Sequence, residues 1–184
     1  LRTVADHDDL FHSIVDFSQP RQAFYNPGIA AAFLSRYYMV SGSSRARALA
    51  IAMLQLSERG TQAQFDYRES MQICKFAWGS AMAYEVDPGG NHLDNMMRMA
   101  DWYADSQRHD GSWVPSGFLV AEPQVSHAIE KTAEHVLWVE MMLASLAGGP
   151  RQGGDLTTTH VPNGRDSPTE DAVQAGHARG SQAC

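Results

Sequence analysis

The sequence predicts an all-α protein made of consecutive αα-hairpins that form part of an α/α toroid. Apolar residues recur with the period of a helix in several segments of residues 1–147. These segments alternate between helices that are apolar on nearly all sides and helices that are amphipathic. Two concentric layers of helices require this alternation, because inner helices are packed on both sides and outer helices face water. A closed bundle of four or five helices is the alternative architecture.

The first two predicted helices have clear start and stop residues. Asn26-Pro27 is typical of a helix start and Gly42 of a C-terminal cap, so the first helix is predicted over about 27–40. Ser43 opens a second helix that ends at Gly60. The large apolar residues of the first helix repeat on one face: Ile29, Phe33, Tyr37 and Val40.

The third predicted helix follows a D-x-x-E pattern. Asp66 and Glu69 are interpreted as a capping box at its start. Residues 70–84 are then apolar nearly all round, with Lys75 their only charge, and the Pro-Gly-Gly sequence at 88–90 ends the helix. This composition predicts a helix that is enclosed by its neighbours.

Two more helices complete the set. A fourth, amphipathic helix is predicted from Asn91 to about Gln107, and a fifth from about Ser126 to Leu146. Residues 38–42 lead into the second helix much as residues 84–88 lead into the fourth, which is a repeat of about 46 residues. A period of this length indicates an array of helical hairpins.

Composition excludes several classes of partner. The net charge is −7 and the 14 basic residues are scattered, which argues against nucleic acid. No apolar run of about 18 residues predicts a membrane span, and no signal peptide is visible, so a cytoplasmic location is expected. Cys74 and Cys184 cannot form a disulfide framework or a CxxC site. Neither a metal nor a cofactor is predicted.

The composition changes sharply after Leu146. Residues 148–184 are rich in Gly, Thr, Ser and Pro and contain few aliphatic residues, which predicts a disordered tail, so residues 1–147 are expected to carry the fold. The chain begins with Leu1 rather than Met, which indicates either processing or a fragment.

One motif follows the fourth helix. The stretch Gln107-Arg108-His109-Asp110-Gly111-Ser112-Trp113 resembles the Q-x-x-x-G-x-W signature of the triterpene cyclases, which belong with the prenyltransferase-like toroids. It is also similar to the Q-x-x-D-G-x-W turns of six-hairpin glycosidase-like enzymes. The Gln can bond free carbonyls at a helix end, the Trp can cover the next hairpin, and the Gly permits a close approach.

The resemblance implies a partial toroid. A full ring needs about a dozen helices, whereas five or six are predicted here. The motif occurs once, because residues 55–62 contain Gly60 but no Trp. An incomplete ring of this kind could self-associate.

A second motif lies at the start of the chain. Asp6-His7-Asp8-Asp9 fits the D-x-D-D pattern of class II terpene cyclases. The resemblance implies that Asp8 donates a proton to an isoprenoid substrate, while Asp6 and Asp9 help it to keep that proton at neutral pH. The structural alternative is a set of helix-start charges favoured by the helix dipole.

Four other residues are candidates for acid–base chemistry on a saccharide or an isoprenoid. Asp66 and Glu69 could act as general acid and base at a toroid mouth, or they could simply cap a helix. Glu134 and His135 could project into a cavity from the fifth helix, or they could lie at the wet end of a half-buried helix.

Aromatic residues could line a substrate cavity, where they would stabilise carbocations or stack on sugar rings. Core packing is the structural alternative. The candidates are Tyr67, Trp78, Tyr84, Trp113 and Trp138. Three functions therefore remain open at this point: a terpene-cyclase-like enzyme, a sugar-active toroid hydrolase, lyase or epimerase, and a non-catalytic helical scaffold or truncated fragment.

Overall fold

The computed structural model describes residues 15–149 of the chain. These residues form five α-helices and a short 3-10 helix and contain no strand, which confirms the all-α prediction. The helices are α1 Asn26–Ser41, α2 Ser44–Glu58, the 3-10 helix Gln62–Phe65, α3 Lys75–Val86, α4 His92–Ser106 and α5 Val125–Gly148. No helix in this part of the chain is long and apolar enough to cross a membrane.

The boundary between α1 and α2 is set by two local caps. Gly42 adopts a left-handed conformation with φ 68°, and its N–H donates to the Tyr38 carbonyl. The Ser43 hydroxyl oxygen accepts a hydrogen bond from the Ala46 N–H at 3.3 Å, which caps α2. The predicted end of the first helix and the predicted start of the second are therefore confirmed.

The predicted start of the third helix is wrong. The helix begins at Lys75 rather than at Asp66. The Asp66 carboxylate accepts a hydrogen bond from the Arg68 N–H at 3.0 Å, and the Asp66 carbonyl accepts one from the Ser70 N–H at 2.9 Å. Aspartate favours such turns for the same reason that it caps helices, because its short carboxylate reaches a nearby backbone N–H.

Helix α3 is the central element of the described chain. It packs against all four of the other α-helices, and nine of its 12 residues are buried. Contact on every side explains why this segment is apolar nearly all round, and it confirms the prediction of an enclosed helix. Each helix also contacts its neighbour along the chain, although α4 and α5 touch only weakly. Closure of these hairpins into a toroid stays a prediction.

Helices α1 and α3 cross with their backbones in close contact. A Cβ atom on Gly28 would lie 2.1 Å from the Lys75 carbonyl oxygen, and one on Gly79 would lie 2.7 Å from the Gly28 carbonyl oxygen. The buried side of α1 accordingly carries small residues: Pro27, Gly28, Ala31, Ala32 and Ser35. The large apolar side chains of α1 lie on the opposite side. We call that side the α1 outer face, formed by Ile29, Phe33, Tyr37 and Val40.

A polar junction joins three helix ends. Arg47 near the start of α2 donates to the Val86 carbonyl at 2.8 Å and to the Asp87 carboxylate at 2.6 Å. The other Asp87 oxygen lies 2.8 Å from Nε2 of His92, the first residue of α4. The junction satisfies a carbonyl at the end of α3 and fixes the turn between α3 and α4.

Replacing Gly28 with alanine tests the close crossing. The new methyl group would overlap backbone atoms of α3, so we expect Gly28→Ala to lower the free energy of unfolding by about 3 kcal/mol. Urea denaturation followed by far-UV circular dichroism measures this. Gly89→Ala is the matched control, because a Cβ there meets nothing within 4 Å. Equal stability of the two variants would contradict the crossing.

Candidate functional site

His135 on α5 is a buried polar group surrounded by aromatic rings. Its side chain is completely buried. Three aromatic rings surround it, with ring centroids 5.6 Å away for Trp102, 5.3 Å for Tyr103 and 5.5 Å for Trp113. We call this arrangement the His135 enclosure. It lies in the core, so His135 neither projects into an open cavity nor lies at a wet helix end.

The aromatic polar atoms of the His135 enclosure hold neighbouring segments together. The Trp102 indole N–H donates to the Phe65 carbonyl at 3.0 Å, and the Tyr103 hydroxyl donates to the Cys74 carbonyl at 2.8 Å. Both nitrogens of His135, in contrast, lack a hydrogen-bond partner among residues 15–149. Burying an imidazole in this way disfavours its charged form.

Burial lowers the pKa of His135 from 6.5 to about 4. The neighbouring Glu134 carboxylate raises this pKa, but Lys131 and Lys75 lower it further. The imidazole is therefore neutral near neutral pH. A proton shuttle works best with a pKa near the working pH and with access to substrate, and the surroundings of His135 provide neither.

Glu134 lies between two lysine ammonium groups. Its carboxylate binds Lys131 Nζ at 2.6 Å and also forms an ion pair with Lys75. Burial alone would raise the pKa of Glu134, but the hydrogen bonds from the two lysines outweigh it and keep the pKa below its usual value. Lys75 also lies 4.9 Å from the centre of the Tyr25 ring. The ion pair between Glu134 and Lys75 therefore links α5 to the start of α3.

The aromatic candidates pack within or against the core. Trp78 of α3 and Trp138 of α5 stack with ring centroids 4.8 Å apart and planes inclined by 17°. Tyr67 and Tyr84 are half-buried and contact the hydrophobic core, while Trp113 is part of it. The stack of Trp78 on Trp138 joins α3 to α5.

The remaining acidic candidates are surface groups or lie outside the described residues. Asp66 closes its turn, and Glu69 lies 3.7 Å from Arg21 with both side chains exposed. The Asp66 carboxylate thus accepts a backbone hydrogen bond, and the Glu69 carboxylate forms an ion pair at the surface. Asp6, Asp8 and Asp9 lie outside the described residues, and their role as an acid cluster stays a prediction.

The turn that carries the Q-x-x-x-G-x-W motif connects α4 to α5. The Gln107 side chain donates to the Gly111 carbonyl at 2.9 Å, so it closes the turn rather than capping the free carbonyls of α4. Gly111 has φ 81°, a conformation that favours glycine. Trp113 forms hydrogen bonds to both α4 and α5. Its indole N–H donates to the Tyr103 carbonyl of α4, and its backbone N–H donates to the Thr132 hydroxyl of α5, each at 3.0 Å.

An open groove of about 720 Å³ lies between this turn and the first half of α5. Arg108 and Asp110 line the wall of the groove that the turn forms. The floor on α5 is largely apolar and includes Val125, Ala128 and Ile129. The groove is continuous with a longer apolar surface of α5.

Sequence reasoning missed this surface, which we call the α5 outer face. Its residues follow one another at intervals of alternately four and three: Val125, Ile129, Thr132, Val136, Val139, Leu143 and Leu146. Val125 is 76% exposed, Ile129 66% and Leu143 54%. The four buried residues of α5 lie on another side: His135, Trp138, Met142 and Ser145. The alternating interval is the heptad signal, and it was present in the sequence.

The His135 enclosure predicts an acid-sensitive fold. The folded pKa of about 4 lies below the ordinary value of 6.5, so protonation of His135 favours the unfolded chain. This effect is absent above about pH 6.5 and grows progressively as the pH falls towards 4. We expect the wild type to lose about 2 kcal/mol of unfolding free energy between about pH 7 and about pH 5. Urea denaturation at the two pH values measures this loss.

His135→Phe should remove this part of the pH dependence, because phenylalanine does not titrate. His109→Gln is the control, since His109 is exposed in the turn after α4 and its replacement should keep the dependence. The same loss in His135→Phe as in the wild type would show that another group is responsible.

Two further findings bear on function. Within residues 15–149, no group of three or more His, Cys, Asp and Glu side chains is placed to hold a metal ion. Comparison with protein-family models, with curated proteins and with solved structures finds no match for this chain. Function is therefore inferred from the geometry of the described residues alone.

Proposed function

We propose that the chain is a non-catalytic helical scaffold that self-associates by pairing α5 with α5 of a second copy. The observation that carries the proposal is the heptad pattern on the α5 outer face. Ile129, Val136 and Leu143 recur every seven residues and are exposed. Thr132 and Val139, which lie between them, are half-buried, and Val139 packs against the core. A monomer gains nothing from exposing Ile129, Val136 and Leu143, whereas a paired helix would bury them.

The register of the stripe fits a two-stranded coiled coil. Ile129, Val136 and Leu143 occupy the positions called a, and four residues occupy the positions called d: Val125, Thr132, Val139 and Leu146. Two of the three a residues are β-branched, as in many two-stranded coiled coils, whereas Leu146 is the only leucine among the four d residues. Helix α5 has 24 residues, a length of about 36 Å, and therefore offers three heptads to a partner.

The charge of the α5 outer face favours a second copy over an acidic or basic helix. The a and d positions carry no charge, and Glu140 lies at the edge of the stripe. Two identical faces can therefore meet without repulsion between like charges. The groove beside Ile129 leaves this part of α5 open to a partner.

The described residues lend less support to catalysis. Glu134 is held by two lysines, His135 is enclosed, and Asp66 and Glu69 are each engaged by a surface neighbour. The terpene-cyclase-like and sugar-active functions stay predictions, because the acids of the D-x-D-D motif at 6–9 lie outside the described residues.

Neighbouring residues of α5 provide a matched test of pairing. Val136 and Leu137 are 46% and 47% exposed, but only Val136 lies on the seam. We expect Val136→Glu to abolish self-association, because two buried carboxylates would face each other. Leu137→Glu should leave it unchanged. Sedimentation velocity over a concentration series measures the oligomeric state of each protein.

Circular dichroism provides the folding control, since both replaced side chains lie at the surface of the monomer. A wild-type protein that stays monomeric at the highest concentration would overturn the proposal. So would a Val136→Glu protein that self-associates as strongly as the wild type.

A further inference from the structure

The α1 outer face is a second apolar surface, on a helix that the pairing of α5 does not use. Phe33 is 64% exposed, Tyr37 52% and Val40 86%. The rings of Phe33 and Tyr37 stack with centroids 6.2 Å apart. The small residues of α1 occupy its buried side instead. The helix therefore presents its largest apolar side chains to the solvent.

The charged residues in this part of the sequence are all basic. Residues 17–57 contain four arginines and no aspartate or glutamate, in a chain whose net charge is −7. Arg21 pairs with Glu69, and Arg47 with Asp87. Arg36 and Arg45 are exposed, and neither forms an ion pair or hydrogen bond with a residue in the described range.

The two unpaired arginines lie beside the apolar stripe. Arg36 follows Phe33 by three residues and precedes Val40 by four, so it shares their side of α1. A link of two residues joins α1 to α2 and places Arg45, in the first turn of α2, close to the end of α1 that carries Val40. The surface thus combines aromatic and aliphatic side chains with guanidinium groups.

We propose that the α1 outer face binds the surface of a membrane that contains anionic phospholipids. Phe33 and Val40 would enter the boundary between head groups and acyl chains, and Tyr37 would lie at its polar side. Arg36 and Arg45 would bind lipid phosphate and carboxylate groups. The contact is peripheral, with the helix lying in the plane of the surface. It uses a different helix from the self-association of α5 and does not depend on it.

A continuous apolar stripe favours a lipid surface over an acidic protein. Two guanidinium groups would suit either partner. An acidic protein would also need an apolar groove long enough to cover the stripe from Ile29 to Val40, whereas a bilayer accepts any exposed apolar side chain at its interface.

Vesicle co-sedimentation of the full chain tests the proposal. We expect the protein to sediment with phosphatidylcholine vesicles that contain phosphatidylserine and to stay in solution with pure phosphatidylcholine. Binding should weaken as salt is added, because salt screens exposed charges.

Two variants assign the binding to α1. Phe33→Ser should weaken vesicle binding about tenfold or more, because a large apolar side chain no longer enters the interface. Arg36→Gln should weaken it about fivefold, the effect of one arginine near an anionic surface. Val40→Ser repeats the apolar test at the most exposed residue of the stripe.

Matched controls lie elsewhere in the chain. Met97→Ser removes an apolar side chain of α4 that is 55% exposed, and Arg68→Gln removes an exposed arginine between the 3-10 helix and α3. Both should bind vesicles as the wild type does. Circular dichroism confirms that each variant is folded.

Three results would overturn the proposal. The first is no binding to phosphatidylserine vesicles at low salt. The second is vesicle binding that neither Phe33→Ser nor Val40→Ser weakens. The third is binding to poly-L-glutamate, weakened in Arg36→Gln, without binding to vesicles, which would assign the surface to an acidic protein.

Discussion

The contact between Gly28 of α1 and Gly79 of α3 is the constraint on which the rest of the structure depends. The two backbones meet there, so only small side chains fit between the helices. Helix α3 then lies at the centre of the described chain, where its first residue, Lys75, reaches Glu134 of α5. The same contact turns the large side chains of α1, such as Phe33, to the solvent. Packing between small residues thus determines which surfaces remain for partners.

Helix α5 is attached to the core along one narrow side. The His135 enclosure and the stack of Trp78 on Trp138 hold it by aromatic packing. An ion pair between Lys75 and Glu134 and a hydrogen bond of 2.8 Å from the Ser145 hydroxyl to the Glu85 carboxylate add polar contacts. Burial of a neutral imidazole without a hydrogen-bond partner opposes folding. A helix attached in this way would gain stability from a partner on its outer face, because pairing would bury the exposed heptad residues.

The features that sequence could predict were those encoded locally. Gly42 and its neighbour Ser43 end one helix and begin the next through their own backbone and hydroxyl groups. The start of α3 could not be predicted in the same way, because Asp66 stabilises a turn with the same carboxylate geometry that caps a helix. The buried side of α1 depends on Gly79, which is distant in sequence, while hydrophobicity alone favours burying Phe33. Likewise, spacing identified His135 as a residue of α5 but could not predict the three rings around it.

In α1 the small residues are buried and the large apolar side chains are exposed. Hydroxyl-radical footprinting of the dilute wild-type protein, without lipid, tests this packing most directly. Phe33 and Tyr37 are 64% and 52% exposed, whereas Phe24 and Phe76 are at most 1% exposed. Phe33 and Tyr37 should therefore be oxidised much faster than the two core phenylalanines. Protection of Phe33 and Tyr37 as strong as that of Phe24 would contradict the packing and, with it, the surface proposed to bind the membrane.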